Sequence, residues 1–219
     1  MRRVLGILCV TLGAGMLVAA AVLAGYNTTE DRSAGQASQQ ALTQIQQVIQ
    51  SVEETAPQQT DPYADHIDAF DEEAKEMTVK EIGGYEYIGY LAIPAFELEL
   101  PVMSEWDYPR LRVAPCRQYG STKTDNLVIA AHNYASHFGN LSKLEAGDLL
   151  TFTDMDTETI LYEVQAVDIL APTAVETVRD SGFDLVLYTC TYGGENRIAA
   201  FCDRATPAAL GKYSDHGKK

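Results

Sequence analysis

Between Arg3 and Tyr26 the chain carries no charge for 22 residues, VLGILCVTLGAGMLVAAAVLAG (Val4 to Gly25). Each helical residue rises about 1.5 Å, so a run of this length spans a hydrocarbon core roughly 30 Å thick. Arg2 and Arg3 precede the run, and Asn27, Thr28, Thr29, Glu30 and Asp31 follow it. The positive-inside rule then expects a cytoplasmic N-terminus and an exported remainder. A cleaved signal peptide is the rival reading, with Val22-Leu23-Ala24 as the small-residue cleavage site. The length of the run favours an uncleaved anchor, and either way Tyr26 onward lies outside the cytoplasm.

What is exported is acidic. The 219 residues carry 16 Lys+Arg against 31 Asp+Glu, a net charge of −15. That balance argues against nucleic acid as a partner, because phosphate neutralisation needs a basic footprint. It equally disfavours a surface that clings to anionic lipid. A hydrophobic fraction of 46% is enough to bury a core. The length allows one sizeable domain plus an appendage. Four cysteines are too few for a disulfide scaffold, and no two have the close spacing of a zinc site.

After the apolar run, Ala41, Leu42, Ile45, Val48, Ile49 and Val52 recur at three- and four-residue steps between Gln36 and Thr55. This is one stripe of an amphipathic helix that ends before Pro57, a stalk or a helix lying on the body. Asp61-Pro62-Tyr63 then opens a strongly acidic stretch through Glu86; on residue types alone it is a helix start, with Asp as cap and Pro at the first position. From Tyr85 the texture changes to short apolar or alternating runs divided by turn residues. Strands are expected near Tyr87–Ile93, Glu97–Met103, Asn126–Ala131, Leu149–Thr153, Thr159–Leu170, Asp184–Thr189 and Arg197–Cys202, with a weak candidate at Leu111–Val113. Short helices are expected near Phe138–Leu144 and Val175–Asp180. Many short strands with little helix imply an all-β barrel or sandwich.

Chemistry concentrates at strand ends. DLVLYTC (Asp184 to Cys190) reads as a buried strand ending on a cysteine, TYGGEN as a turn, and RIAAFCDR (Arg197 to Arg204) as the returning strand. Paired as a hairpin, Cys190 and Arg197 project onto one face, with Cβ atoms roughly 5 Å apart. The guanidinium then favours a thiolate, or donates to an oxyanion at the carbon it attacks. The bland alternatives are a small buried hydrophobe at Cys190 and a solvated cation at Arg197. Of the four histidines, only His132 ends a buried strand (Leu127 to Ala131), with His137 a lesser candidate beside it. A Cys–His pair on one barrel rim would serve nucleophilic attack on a carbonyl, and a hydrogen-bonded structural histidine is the alternative. Cys116 and Cys202 are expected as buried free thiols; alternation turns Cys202 to the packed face, away from Arg197.

Three segments, YIGYLAIPAFELELPV (Tyr87 to Val102), NLVIAAHNYASHFGNLSKLEAGD (Asn126 to Asp148) and LVLYTCTYGGENRIAAF (Leu185 to Phe201), resemble the sortases, membrane-anchored cysteine transpeptidases of Gram-positive bacteria. The likeness runs from about Tyr87 to Arg204. It implies an eight-stranded β-barrel and assigns catalysis to Cys190, His132 and Arg197, with Thr189 at the substrate and no cofactor or metal. It divides the chain into an anchor (1–25), a helical and acidic spacer (26–84), a catalytic barrel (85–207) and a polar tail (208–219). The implied substrates are exported proteins bearing an LPXTG-like sorting signal, and the acceptor is an amine of a cell-wall precursor or a pilin lysine. Asp61 and Tyr63 resemble the Asp-Pro-aromatic lid of pilin-polymerising sortases, although the tail lacks the second membrane helix common in those enzymes. Other departures are Val186-Leu187-Tyr188 before the Thr-Cys pair, Ala131 before the histidine where Gly is common, and a short Cys190–Arg197 loop. A catalytically silent sorting-peptide binder, a hydrolytic cysteine peptidase and a plain tethered barrel remain the competing functions.

Overall fold

The computed structural model describes residues 2–55 and 76–205; Asp61, Tyr63 and the polar tail lie outside the described residues. Helix α1 (Arg2–Thr55) is continuous from the apolar run through the amphipathic segment. No proline interrupts it before Pro57, so the two helical stretches expected from sequence fuse into one. Its first half is long and apolar enough to cross a membrane and is solvent-facing all round, with Val10 71% and Leu17 74% exposed. Farther along a single stripe is buried, comprising Ala34, Ser38, Ala41, Leu42, Ile45 and Ile49. This half lies on the barrel, and Gln46 Nε2 donates to Glu99 Oε2 at 3.0 Å.

The strands are β1 (Lys80–Ile82), β2 (Tyr85–Ile93), β3 (Leu98–Met103), β4 (Cys116–Tyr119), β5 (Leu127–Ala130), β6 (Leu149–Asp154), β7 (Thr159–Leu170), β8 (Leu185–Cys190) and β9 (Arg197–Arg204). Eight of them close in the order β2-β3-β4-β5-β8-β9-β7-β6 and back to β2, while β1 pairs only with the first residues of β2. Closure turns on Gly89, where β2 bulges against β3 and begins to pair with β6. Its φ is +148°, and a Cβ there would stand 2.1 Å from the Thr153 carbonyl oxygen. Only glycine lets the strands approach this closely.

Leu91, Ile93, Leu100, Ile129, Phe152 and Leu187 fill the barrel interior. Each such side chain contributes about 1.5–3 kcal/mol by leaving water. A second cluster sits under α1, where Ile45 and Ile49 meet Tyr87, Met103, Cys116 and Ala130. A third packs Val128, Val186, Ala199 and Phe201 beneath Val178 of the short helix α3 (Val175–Arg179).

Seven strands fall where the sequence places them, within a few residues at their ends. The eighth is β4 (Cys116–Tyr119), not Leu111–Val113. Those residues follow Asp107-Tyr108-Pro109, where the Asp107 carboxylate accepts from Arg110 N at 2.6 Å and Pro109 sits in the first turn of α2 (Tyr108–Leu111). A capped turn outweighs three residues of weak strand character. The helix expected over Phe138–Leu144 contracts to a 3₁₀ turn at Leu141–Lys143.

Candidate active site

Strands β5 and β8 run parallel, with Leu127 opposite Leu185 and Ala130 opposite Tyr188. Continuing this register sets His132 against Cys190. The continuation is made by hydrogen bonds: Ala131 N donates to Tyr188 O at 3.2 Å, Thr189 Oγ1 to Ala131 O at 2.8 Å, and Asn133 Nδ2 to Thr191 O at 3.4 Å. On the other side, β8 and β9 are antiparallel and Cys190 is the direct partner of Arg197. Alternation turns Thr189 inward, where it is buried, and Cys190 outward with Tyr188 and Val186. Arg197, Ala199 and Phe201 share that outer face. Cys202 points into the barrel core.

The three side chains line one cavity of about 200 Å³. Its walls are largely apolar, made by Leu170 at the end of β7, by Pro172, Val175 and Val178 of the β7–β8 connection, and by Trp106 and Tyr108. Tyr188 stands beneath it, its hydroxyl donating to Gln118. Trp106 and Gln118 also border a wider cleft of about 610 Å³ over β4. Arg197 Nη1 donates to Gly194 O and Asn196 O, each at 3.1 Å, which folds the Thr191–Asn196 turn around the guanidinium.

His132 is half-buried, and its pKa is lowered. Burial is the main cause and the Arg112 guanidinium the next, while the Glu30 carboxylate pulls the other way. His137 is fully buried in the next turn and is no part of the cavity. Burial and the neighbouring His132 bring its pKa down to about 4. Neither of its ring nitrogens has a hydrogen-bond partner, and the nearby Val113 backbone and the Asp31 carboxylate only partly offset the lowering. Cys116 and Cys202 are buried free thiols, and burial pushes Cys116 up to about 12 and raises Cys202 as well. Among the described residues there is no cluster of three metal-ligating side chains.

A thiol faced by a guanidinium and flanked by an imidazole has the chemistry to act as nucleophile, oxyanion donor and proton carrier in one apolar slot. The sequence brought these three residues forward. It did not bring forward Tyr134, Gln118 or the cavity wall at Leu170–Val178. Gln118 is hidden in a strand with no apolar run. Tyr134 follows His132 by two residues in a loop, where no periodicity fixes which way a side chain faces.

The sortase-domain family model matches residues 91–205. The chain belongs to the sortase family. Among solved structures, the sortase is similar to sortase C of Streptococcus pneumoniae, with 24% identity, a TM-score of 0.51, and coverage of 83% of this chain and 97% of that one. The pilus-related sortase C of Group B Streptococcus gives 21% identity and a TM-score of 0.50, covering 80% and 95%. Sortase C1 of Streptococcus suis is 26% identical, with a TM-score of 0.48 over 55% and 73%. The first two likenesses show that the closed eight-stranded barrel is the sortase fold. No curated protein sequence matches the chain significantly.

Proposed function

We propose that this sortase is a cysteine transpeptidase that cleaves an LPXTG-like sorting signal and passes the acyl group to an amine. The observation that carries the reading is the convergence of Cys190, Arg197 and His132 on one apolar-walled cavity. The Cys190 thiolate attacks the signal's Thr carbonyl, forming a C–S bond and a tetrahedral oxyanion. Arg197 donates to that oxyanion through N–H groups other than those that hold Gly194 and Asn196. His132 as imidazolium gives its proton to the departing amine as the C–N bond breaks. It then takes a proton from the incoming amine as the C–S bond breaks. For a free thiol (about 8.5) and a free imidazole (about 6.5), only about 1% of pairs hold the thiolate and imidazolium together, and a lowered imidazole value shrinks that share, so the surroundings of His132 bear directly on rate.

In this reading residues 85–207 are the catalytic unit, and α1 anchors it outside the cytoplasm. The amine belongs to a cell-wall precursor or a pilin lysine, and Asp61-Pro62-Tyr63 is a candidate lid. Incubating the protein with a labelled LPXTG-type peptide and an amine tests the reading. Wild type should yield the amide product through a thioester, and Cys190→Ala should yield neither while staying folded. A Cys190→Ala protein with near-normal transfer would refute it. A product formed only with water would make the enzyme a hydrolytic peptidase, and peptide binding without turnover a silent binding domain.

A further inference from the structure

The loop that follows β5 and carries His132 is fastened to α1, more than a hundred residues away in sequence. Ser136 N donates to Asp31 Oδ1 at 3.0 Å, and Ser136 Oγ lies 2.6 Å from the same oxygen and 3.0 Å from Asp31 O. The helix passes so close at Gly35 that a Cβ there would stand 3.0 Å from Ser136 Cβ. One residue before Asp31, Glu30 Oε2 accepts from the Tyr134 hydroxyl at 3.2 Å, and Glu30 Oε1 accepts from Tyr26 at 2.6 Å. The Tyr134 ring packs against two imidazoles, its centroid 4.8 Å from His132 at 36° and 5.5 Å from His137 at 46°. Tyr134 is thus held at its hydroxyl by the helix and packs its ring against His132.

We propose that Glu30, acting through Tyr134, is a positioning residue for His132, so that the N-terminal helix is part of the catalytic machinery as well as an anchor. The proposal rests on the assignment of His132 as the proton carrier. Two effects combine. The hydrogen bond fixes the Tyr134 ring, and the ring limits how the imidazole can turn. The carboxylate also adds negative charge on the helix side of His132, favouring the imidazolium that the leaving amine requires. The other groups facing His132 are Arg112 beyond α2, which opposes Glu30, Cys190 and Arg197 across the cavity, and neutral His137 in its own loop. Among these, Glu30 acts from outside the barrel. A small cleft of about 370 Å³, lined by Tyr26, Glu30, Arg112 and Tyr134, separates helix and loop there, so the coupling runs through defined contacts and not through a packed core.

The test uses the full chain in detergent micelles, with Glu30→Gln, Tyr134→Phe and the double variant. Gln46→Ala, which loses a helix–barrel contact far from the loop, is the control. Proton NMR of the imidazole Cε1–H, assigned by its absence in His132→Asn, follows His132 directly. Removing the Glu30 charge should move the His132 titration to lower pH, and the acid limb of kcat/KM should move with it. Glu30→Gln removes the charge while its amide oxygen can still accept from Tyr134, whereas Tyr134→Phe removes the hydrogen bond; plateau kcat/KM should fall about two- to tenfold in each. The double variant, which loses both the charge and the hydrogen bond, should be at least as impaired as the more damaging single one. Gln46→Ala should change none of these. An unmoved His132 titration in folded Glu30→Gln overturns the coupling. A shifted titration with unchanged kcat/KM instead overturns the role given to His132, so the two failures are distinguishable.

Discussion

His137 should make the barrel acid-sensitive. In the unfolded chain its imidazole takes up a proton near pH 6.5, whereas in the fold burial delays uptake to about pH 4. Between those values the unfolded state binds more protons, so stability falls as pH falls. A gap of about 2.5 units corresponds to about 3 kcal/mol in full, of which about 2 kcal/mol is lost by pH 5. His132, also shifted downward, acts in the same sense, so the contribution of His137 must be isolated by substitution. His137→Met is of similar volume, flexible and non-titrating. It also removes ring nitrogens that are buried without partners. At pH 8 the variant should be as stable as wild type or more so. Between pH 8 and pH 5 it should lose about 2 kcal/mol less than wild type. Urea unfolding at the two pH values can be followed by the fluorescence of Trp106, the chain's single tryptophan. Equal losses in the two proteins would mean that His137 is not held neutral by the fold, and the reasoning would fail.

Arg197→Ala should cost a factor of about 10²–10³ in turnover, and Arg197→Lys should recover only part of it, because an ammonium lacks the planar fork. Arg204→Ala should leave steady-state kinetics nearly intact while lowering the melting temperature, since its side chain holds Asp125 at 2.6 Å and the Thr122 carbonyl at 2.7 Å on the barrel's far side. Thr189→Val should lose about 1–3 kcal/mol in thermal melts by orphaning the buried Ala131 carbonyl, and should lower kcat more than KM by loosening the lacing between His132 and Cys190. Cys116→Ala and Cys202→Ala should stay active in the same assay, because both thiols face packed cores.

The geometry of the candidate site was legible because two simple periodicities govern it. His132 and Cys190 are 58 positions apart, which is also the offset of the parallel β5–β8 ladder, and both end buried apolar runs. Arg197 opens the strand that returns from Cys190, so hairpin pairing alone sets them face to face. Strand β4 was not legible, because Cys-Arg-Gln-Tyr has neither alternation nor an apolar run. Its pairing is imposed by neighbours, through a bulged register with β5 and a single bridge, Met103 to Cys116, to β3. The junction of α1 with the His132 loop was equally hidden. Glu30 and Asp31 look like ordinary polar residues flanking an apolar run, and only the folded chain shows that they meet Tyr134 and Ser136.

The unbroken course of α1 also has a mechanical side. With Val4 to Gly25 in a bilayer, Glu30 stands five residues beyond it, a climb of only about 7.5 Å along the helix axis. A flexible leash would let the barrel sample many heights and headings. A strut sets one altitude and one azimuth for the rim that carries Cys190. Each residue inserted between Gly25 and Glu30 would lift the barrel by about 1.5 Å and swing it by about 100° about the helix axis. One inserted residue would therefore turn the cavity to another compass point at almost unchanged height, and a chain tethered to the same membrane would have to approach it from a different side.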